Sequence, residues 1–245
     1  MGNELIFLLS TLLYFGLVVV VYKLFGKNGI YIYSVFSMLL CNIGACKLVN
    51  IFGLSTSAGT TFYAANYLAT DILSENHGKK EAQKAVWCGL FAMMVWSLAT
   101  QFIIWLKPNS SDYMSGNLDK ILRSSPLILT SSAIAYLVSQ TFDVFMYHFI
   151  WGKTGNNKTM LWLRNNLATF LSQAVDTITM STGLVLFGIY SLKAAIGFTV
   201  GKYVIKCLVA LLDTPFAYLA RMLGSKKNSV SSCSESENKE CVPAV

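Results

Sequence analysis

Residues 85–106 read AVWCGLFAMMVWSLATQFIIWL, 22 residues without a charged side chain. A helix needs about 20 apolar residues to cross the hydrocarbon of a bilayer, so this stretch predicts a transmembrane helix. Trp87 and Trp105 stand 18 positions apart in it. That is roughly 27 Å at 1.5 Å per residue, which sets one indole near each interface, where aromatic belts lie. The rest of the chain agrees with this reading. Of 245 residues, 54% are apolar and 13% charged, and the mean hydropathy is +0.53. A soluble domain carries about 25% charged residues, so an ordinary soluble enzyme is excluded. The 13% aromatic content excludes a wholly disordered chain. The net charge of +7 reads as basic loops beside an anionic lipid bilayer, not as a nucleic-acid footprint.

Outward from this helix, uncharged or nearly uncharged runs recur at 5–22, 30–52, 60–73, 126–150, 161–189 and 194–219. The third, of 14 residues, is short for a crossing, so the expectation is an all-α polytopic membrane protein with six to seven transmembrane helices. Loop charge favours seven. Lys23, Lys27, Lys79, Lys80, Lys84, Lys153, Lys158, Arg221, Lys226 and Lys227 then share one side, ten against four for Lys107, Lys120, Arg123 and Lys193. The positive-inside rule puts the ten in the cytoplasm and the N-terminus outside. The membrane domain is expected over 1–223, and the Ser-, Glu- and Lys-rich residues 224–245 read as a disordered cytoplasmic tail. Met1-Gly2-Asn3-Glu4 has no basic residue before the first apolar run, so no cleavable leader is expected.

Polar side chains inside these runs need a reason, because a charge at the centre of a span costs about 2.5–3.5 kcal/mol on insertion scales. In 161–189, Asn165, Thr169, Ser172, Asp176, Thr179 and Gly183 step by four and three and so share a helix face, with Gln173 at its edge. In 126–150, Ser132, Tyr136, Gln140, Asp143 and Tyr147 do the same. The two stripes contain matching words, Ser139-Gln140-x-x-Asp143 and Ser172-Gln173-x-x-Asp176. Asn42 and Lys47 lie in the second run, and Asn66, Asp71 and Glu75 lie at the cytoplasmic end of the third. Lys202, Lys206 and Asp213 share a face of the last run, where the simplest reading pairs Lys206 with Asp213.

Enzymatic signatures are missing. The sequence has no H-E-x-x-H, G-x-S-x-G or cysteine-based metal word, and no cofactor is expected. Cys41, Cys46, Cys88 and Cys207 lie within apolar runs, where cysteine serves as small filler, and Cys233 and Cys241 lie in the tail. Gly197 and Gly201-Lys202 fall one residue short of a phosphate loop and read as a small-xxx-small helix contact. A transporter therefore needs an ion gradient, a partner ATPase, or trapping of its cargo inside the cell.

Ala69-Thr70-Asp71-Ile72-Leu73-Ser74-Glu75-Asn76-His77-Gly78-Lys79-Lys80 resembles the T-D-x-x-x-E-x-Y-G-K-K signature of bacterial queuosine precursor transporters, also grouped as a vitamin uptake family. Arg164, Ser172-Gln173 and Asp176-Thr177 resemble the family's second signature. Asn42 with Lys47 resembles its N-x-x-x-x-K, and Asp213-Thr214-Pro215 its closing T-P segment. His77 stands where the family has tyrosine, so nothing is carried over to that position. The resemblance implies import of 7-deazaguanine bases for making the tRNA nucleoside queuosine, through the bacterial inner membrane. The expected substrate residues are Asp176 and Gln173 at the centre, with Asn42, Lys47, Asp71, Glu75, Arg164, Gln140 and Asp143. A carboxylate accepts two N–H bonds from the base edge, amides read its carbonyl, and Tyr136, Phe142 or Phe170 stack on the ring. Two readings remain beside it, a substrate-binding subunit served by a partner ATPase and a membrane-embedded enzyme. Self-association into a homo-oligomer also stays open here.

Overall fold

The computed structural model describes residues 2–122, 126–155, 158–189 and 191–224. The expectations for the tail, for Cys233 and Cys241, for Arg123, Lys226 and Lys227, and for packing at Gly197 lie outside the described residues. The first element, α1 (Asn3–Ala45), spans 43 residues but leaves helical geometry at Gly26, with φ 63° and ψ −144°. A straight helix of that length would reach about 64 Å. Instead the Tyr33 hydroxyl donates to the carbonyl oxygen of Tyr14, 3.3 Å away across 19 positions. The chain therefore folds back into two antiparallel arms, 3–25 and 27–45, through a conformation that only glycine adopts at no steric cost.

The second arm ends at Ala45, so the expected helix over 30–52 is cut short. Residues Leu48–Ile51 and Leu54–Ser57 form an antiparallel hairpin, β1 and β2, with Leu48 opposite Ser57 and Ile51 opposite Leu54. The two-residue turn at Phe52-Gly53 has positive φ at both positions, 51° and 76°, which matches the twist of paired strands. A short apolar run such as Leu48-Val49-Asn50-Ile51 carries no period that separates strand from helix, which is why the sequence reading extended the helix through it.

Helix α2 (Thr60–His77) follows and is separated by Gly78 alone from α3 (Lys79–Trp105). Gly78, at φ 84°, turns the chain between them. Then come α4 (Ser115–Leu122), α5 (Pro126–Thr154), a 3-10 turn at Lys158–Met160, α6 (Leu161–Leu186) and α7 (Leu192–Leu211). A last helix, α8 (Thr214–Gly224), meets α7 at a bend of 41°. The expected run 194–219 is therefore broken, and Pro215 explains where. Its ring lacks an N–H and would strike the carbonyl of Leu211, four residues back, so α7 ends there.

Burial sorts the helices into two kinds. From residue 85 onward the exposed side chains of α3 are Trp87, Phe91, Met94, Val95, Leu98, Ala99, Phe102, Ile103 and Trp105, a helical stripe with no polar group, as a lipid-facing surface requires. α2 is the reverse: every residue from Ala64 to Ser74 is buried, Asn66, Thr70 and Asp71 among them. It packs against α1, α3, α5 and α7. α6 likewise buries Arg164, Asn165, Asn166, Thr169, Ser172, Gln173 and Asp176. By length and composition three helices, Asn3–Ala45, Lys79–Trp105 and Leu127–Thr154, suffice to cross a membrane, and the bent pair Thr199–Leu211 with Thr214–Gly224 makes a fourth. Among the described residues the all-α reading holds but for the hairpin, and the polar groups of α2 and α6 leave these two less apolar than the helices just named.

The molecule has two distinct ends. At the hairpin end, the Cys46 thiol reaches the Ile121 carbonyl and Leu54 lies against Gly201. At the Gly78 end, Tyr22 hydrogen-bonds His77 at 3.2 Å and Lys27 approaches Glu81 at 3.5 Å. There, outside the apolar core, the Lys84 ammonium and then the Tyr31 hydroxyl hold the Glu81 carboxyl down to about 2.

Candidate functional site

A cleft opens at the hairpin end, with a cavity volume of about 150 Å³. Its walls include Ala45, Ser57, Gly59 and Leu184 together with Asn42, Tyr63, Met93, Asp176, Lys202 and Lys206. A second hollow shares Asn42, Ser132, Met180 and Lys202 and continues past Cys46, Leu48 and Ile189 toward the hairpin.

Asp176 is the most heavily coordinated group of the cleft walls. Tyr63 donates to its Oδ1 at 2.6 Å and Ser139 to the same oxygen at 3.2 Å, while Lys206 pairs with Oδ2. The Lys206 ammonium also sits 4.8 Å from the Tyr63 ring centroid, a cation–π contact that orients both. Lys206 is thus held by Asp176 and not by Asp213, whose Oδ1 accepts from Asn165 at 2.6 Å. A carboxylate offers about four lone-pair sites, so three donors leave Asp176 room for one more.

The matching words on α5 and α6 meet reciprocally. Ser139 of the first donates to Asp176 of the second, and Ser172 of the second donates to Asp143 of the first at 2.7 Å. Close packing of the two antiparallel helices permits this crossing: a Cβ added at Gly183 would lie 2.6 Å from the Ser131 hydroxyl. Below the cleft, toward the Gly78 end, the polar groups continue as a column. Tyr67 donates to Ser139 at 3.0 Å, Thr70 to Gln140 at 3.2 Å and Thr169 to Asp71 at 3.4 Å.

An ion cluster closes the column. Arg164 grips Glu75 with two bonds, Nε to Oε2 at 2.9 Å and Nη2 to Oε1 at 2.6 Å. Arg221 adds a contact at 3.0 Å and Tyr147 donates to Oε2 at 2.6 Å. The Arg164 guanidinium stacks 4.7 Å over Trp151 and is fully buried. A planar fork with five donors is the one basic side chain that can satisfy a carboxylate bidentately and stack on an indole together.

The expected site residues are therefore distributed along one axis and not gathered at one point. Asp176 and Asn42 line the cleft. Gln173, Gln140, Asp143 and Asp71 are buried beneath it, and Glu75 with Arg164 lies at its closed end. Lys47 is exposed in the connection to β1 and contributes no side chain to the cleft wall. Thr177, not Thr179, faces the cleft. Tyr136, Phe142 and Phe170 are absent from its wall, where the aromatic is Tyr63. Sequence reasoning missed Tyr63 as a wall residue, although Tyr63, Tyr67 and Thr70 step by four and three as the other stripes do.

A family model described as "Putative vitamin uptake transporter" matches residues 57–220, the segment that carries Tyr63, Asp176 and Lys206 and, of the ion cluster, Glu75, Tyr147, Trp151 and Arg164. A protein of Bacillus subtilis (strain 168), named "Probable queuosine precursor transporter", is 32% identical over 223 residues, covering 91% of this chain and 96% of its own length. No solved structure matches the chain. On the family match and that relative, the chain belongs to the vitamin uptake transporter family, as a multi-pass membrane transporter and not an enzyme.

Proposed function

We propose that the protein imports 7-deazaguanine bases, the queuosine precursors named for its Bacillus relative, and that the cleft floored by Asp176, Lys206 and Tyr63 is where the base sits. The observation that carries this reading is the donor and acceptor set that lines the cleft. The base presents N–H donors on its N1/2-amino edge, a carbonyl at O6 and a flat face. Asp176 accepts from the edge, and charge-assisted bonds of that kind are about twice as strong as neutral ones. Lys206 then turns from Asp176 to the carbonyl, and the Tyr63 ring supports the face.

The same reading takes the chain through the inner membrane seven times. The two arms of α1, then α2, α3, α5, α6 and the α7–α8 pair are the seven segments, and they alternate between the hairpin end and the Gly78 end. With the basic loops inside, the hairpin end faces out, so the cleft opens outward and the Glu75–Arg164 cluster forms the cytoplasmic gate. A reporter fused in the 109–116 loop reads external and one fused after residue 224 reads cytoplasmic. Equal readings on both would remove the seven-crossing arrangement.

The test of function is the queuosine content of tRNA in a host that can neither make nor import the precursor. Wild-type protein restores it from external 7-cyano-7-deazaguanine, its aminomethyl form or queuine, and Asp176→Asn at equal membrane abundance restores little. Restoration by neither protein, with the wild type present in the membrane, would overturn the assignment.

A further inference from the structure

The ion pairs described above leave three acids over. Asp71 on α2, Asp143 on α5 and Asp213 at the α7–α8 break are 2%, 0% and 1% exposed. Each has one protein donor to one oxygen: Thr169 for Asp71, Ser172 for Asp143 and Asn165 for Asp213. No lysine or arginine among the described residues pairs with any of them. The neighbouring titratable groups are engaged elsewhere. From α7 Lys206 holds Asp176, from α6 and α8 Arg164 and Arg221 hold Glu75, from α5 Tyr147 also holds Glu75, and from α2 Tyr67 bonds Ser139.

An ionised carboxylate removed from water without a counter-charge costs several kcal/mol even after relaxation, so three together cannot all be charged. Two details say what compensates. Asp71 Oδ1 and Asp143 Oδ2 are the oxygens of these two residues that lack a donor, and the donors to their other oxygens, Thr169 and Ser172, stand three residues apart on one face of α6, so both carboxyls face the same turn of that helix. Two carboxylates have only acceptors, so a bond between them needs a proton on one. Beside them, the Asn165 amide that donates to Asp213 keeps its own oxygen unpartnered at 1% exposure. Among the described residues no group of three acid, histidine or cysteine side chains is arranged to hold a metal ion.

We propose that Asp71 and Asp143 form a proton-binding pair, with Asp213 as its reserve acid, and that the proton carried there is the coupling ion of import. The transport part of this inference rests on the function proposed above; the proton site itself does not. Position supports the coupling. Glu75 lies one helical turn past Asp71, and Tyr147, which bonds Glu75, lies one turn past Asp143. On the other side Ser172 and Ser139 link Asp143 and Asp176 across the two helices. The pair at rest holds one proton and one negative charge; a second proton entering from the cleft side makes it neutral and leaves at the Gly78 end when the Glu75–Arg164 cluster opens.

The experiment has two arms on the purified full chain. In lipid nanodiscs near neutral pH, infrared spectroscopy reads the carboxylic-acid C=O stretch of buried protonated groups. The wild type shows the band, and Asp71→Asn and Asp143→Asn each diminish it. In proteoliposomes, uptake of 7-cyano-7-deazaguanine is compared with and without a pH gradient, acid outside. The wild-type ratio is several-fold and collapses with a protonophore, and in each variant the ratio falls to one. No acid band in the wild type, or an undiminished ratio in both variants, would overturn the proposal. A band that behaves as expected in vesicles that import no base keeps the proton site and rejects the function instead.

Discussion

Two copies of one short word sit side by side in this protein and have different surroundings. Ser139-Gln140-x-x-Asp143 and Ser172-Gln173-x-x-Asp176 exchange serine hydroxyls across the α5–α6 contact, so their acids start from the same local chemistry. Asp176 then receives Lys206 and Tyr63 and lines a cleft. Asp143 receives no base and shares a turn of α6 with another buried acid, Asp71. What a motif does is therefore decided by its third partner, supplied from a different helix, and not by the word itself.

Glu75 is the fully paired acid against which both words can be measured. Arg164→Ala leaves it buried with Arg221 and Tyr147 alone, and loss of one member of a buried pair costs about 3–5 kcal/mol. The expected outcome is a sharp fall in folded, membrane-inserted protein, read by detergent-resistant abundance. Normal abundance would show that Arg221 alone suffices to pair Glu75.

Next in size is Lys206→Met. It removes the partner that distinguishes Asp176 from Asp143 and the donor assigned to the base carbonyl. Loss of one charged hydrogen bond is worth about 1.5–3 kcal/mol, roughly ten- to hundred-fold in affinity. Uptake against substrate concentration checks it, with a higher half-saturating concentration expected and an unchanged one opposing the assignment. The two serines should then separate the words. Ser172→Ala takes the one protein hydroxyl from Asp143 and costs about 1–3 kcal/mol of stability, the range for a buried group left unsatisfied. Ser139→Ala takes one donor of three from Asp176 and, with both serine variants compared in a Tyr67→Phe background because the Tyr67 hydroxyl otherwise loses its acceptor, costs about 0.5–1.5 kcal/mol. Denaturation in matched detergent ranks the pair, and equal losses would mean that the surroundings of the two acids do not differ in effect.

The sequence carried the fold wherever polarity was periodic or absent. The uncharged stretch 85–106 became the lipid-facing α3, and the stripes on 126–150 and 161–189 became the buried faces of α5 and α6. The hairpin at 48–57 was not legible, because apolar runs of four residues have no period to read. At the site, the place of Asp176 on the cleft wall was legible from its polar stripe and its signature word. The partner of Lys206 was not: helical spacing pointed within its own helix to Asp213, and only the packing of α6 against α7 brings Asp176 closer. Lys47 was misplaced for a related reason, since its run looked continuous with a helix that stops at Ala45.

The decisive measurement is the affinity of purified wild type and Asp176→Asn for 7-cyano-7-deazaguanine, by calorimetry in the same detergent. The substitution keeps size and replaces one acceptor oxygen with a donor facing the N–H edge of the base. With Asp176 at the centre of the site, the dissociation constant rises roughly ten- to hundred-fold while the protein stays folded. Equal affinity in the two proteins would contradict that placement and move the substrate elsewhere in the cleft.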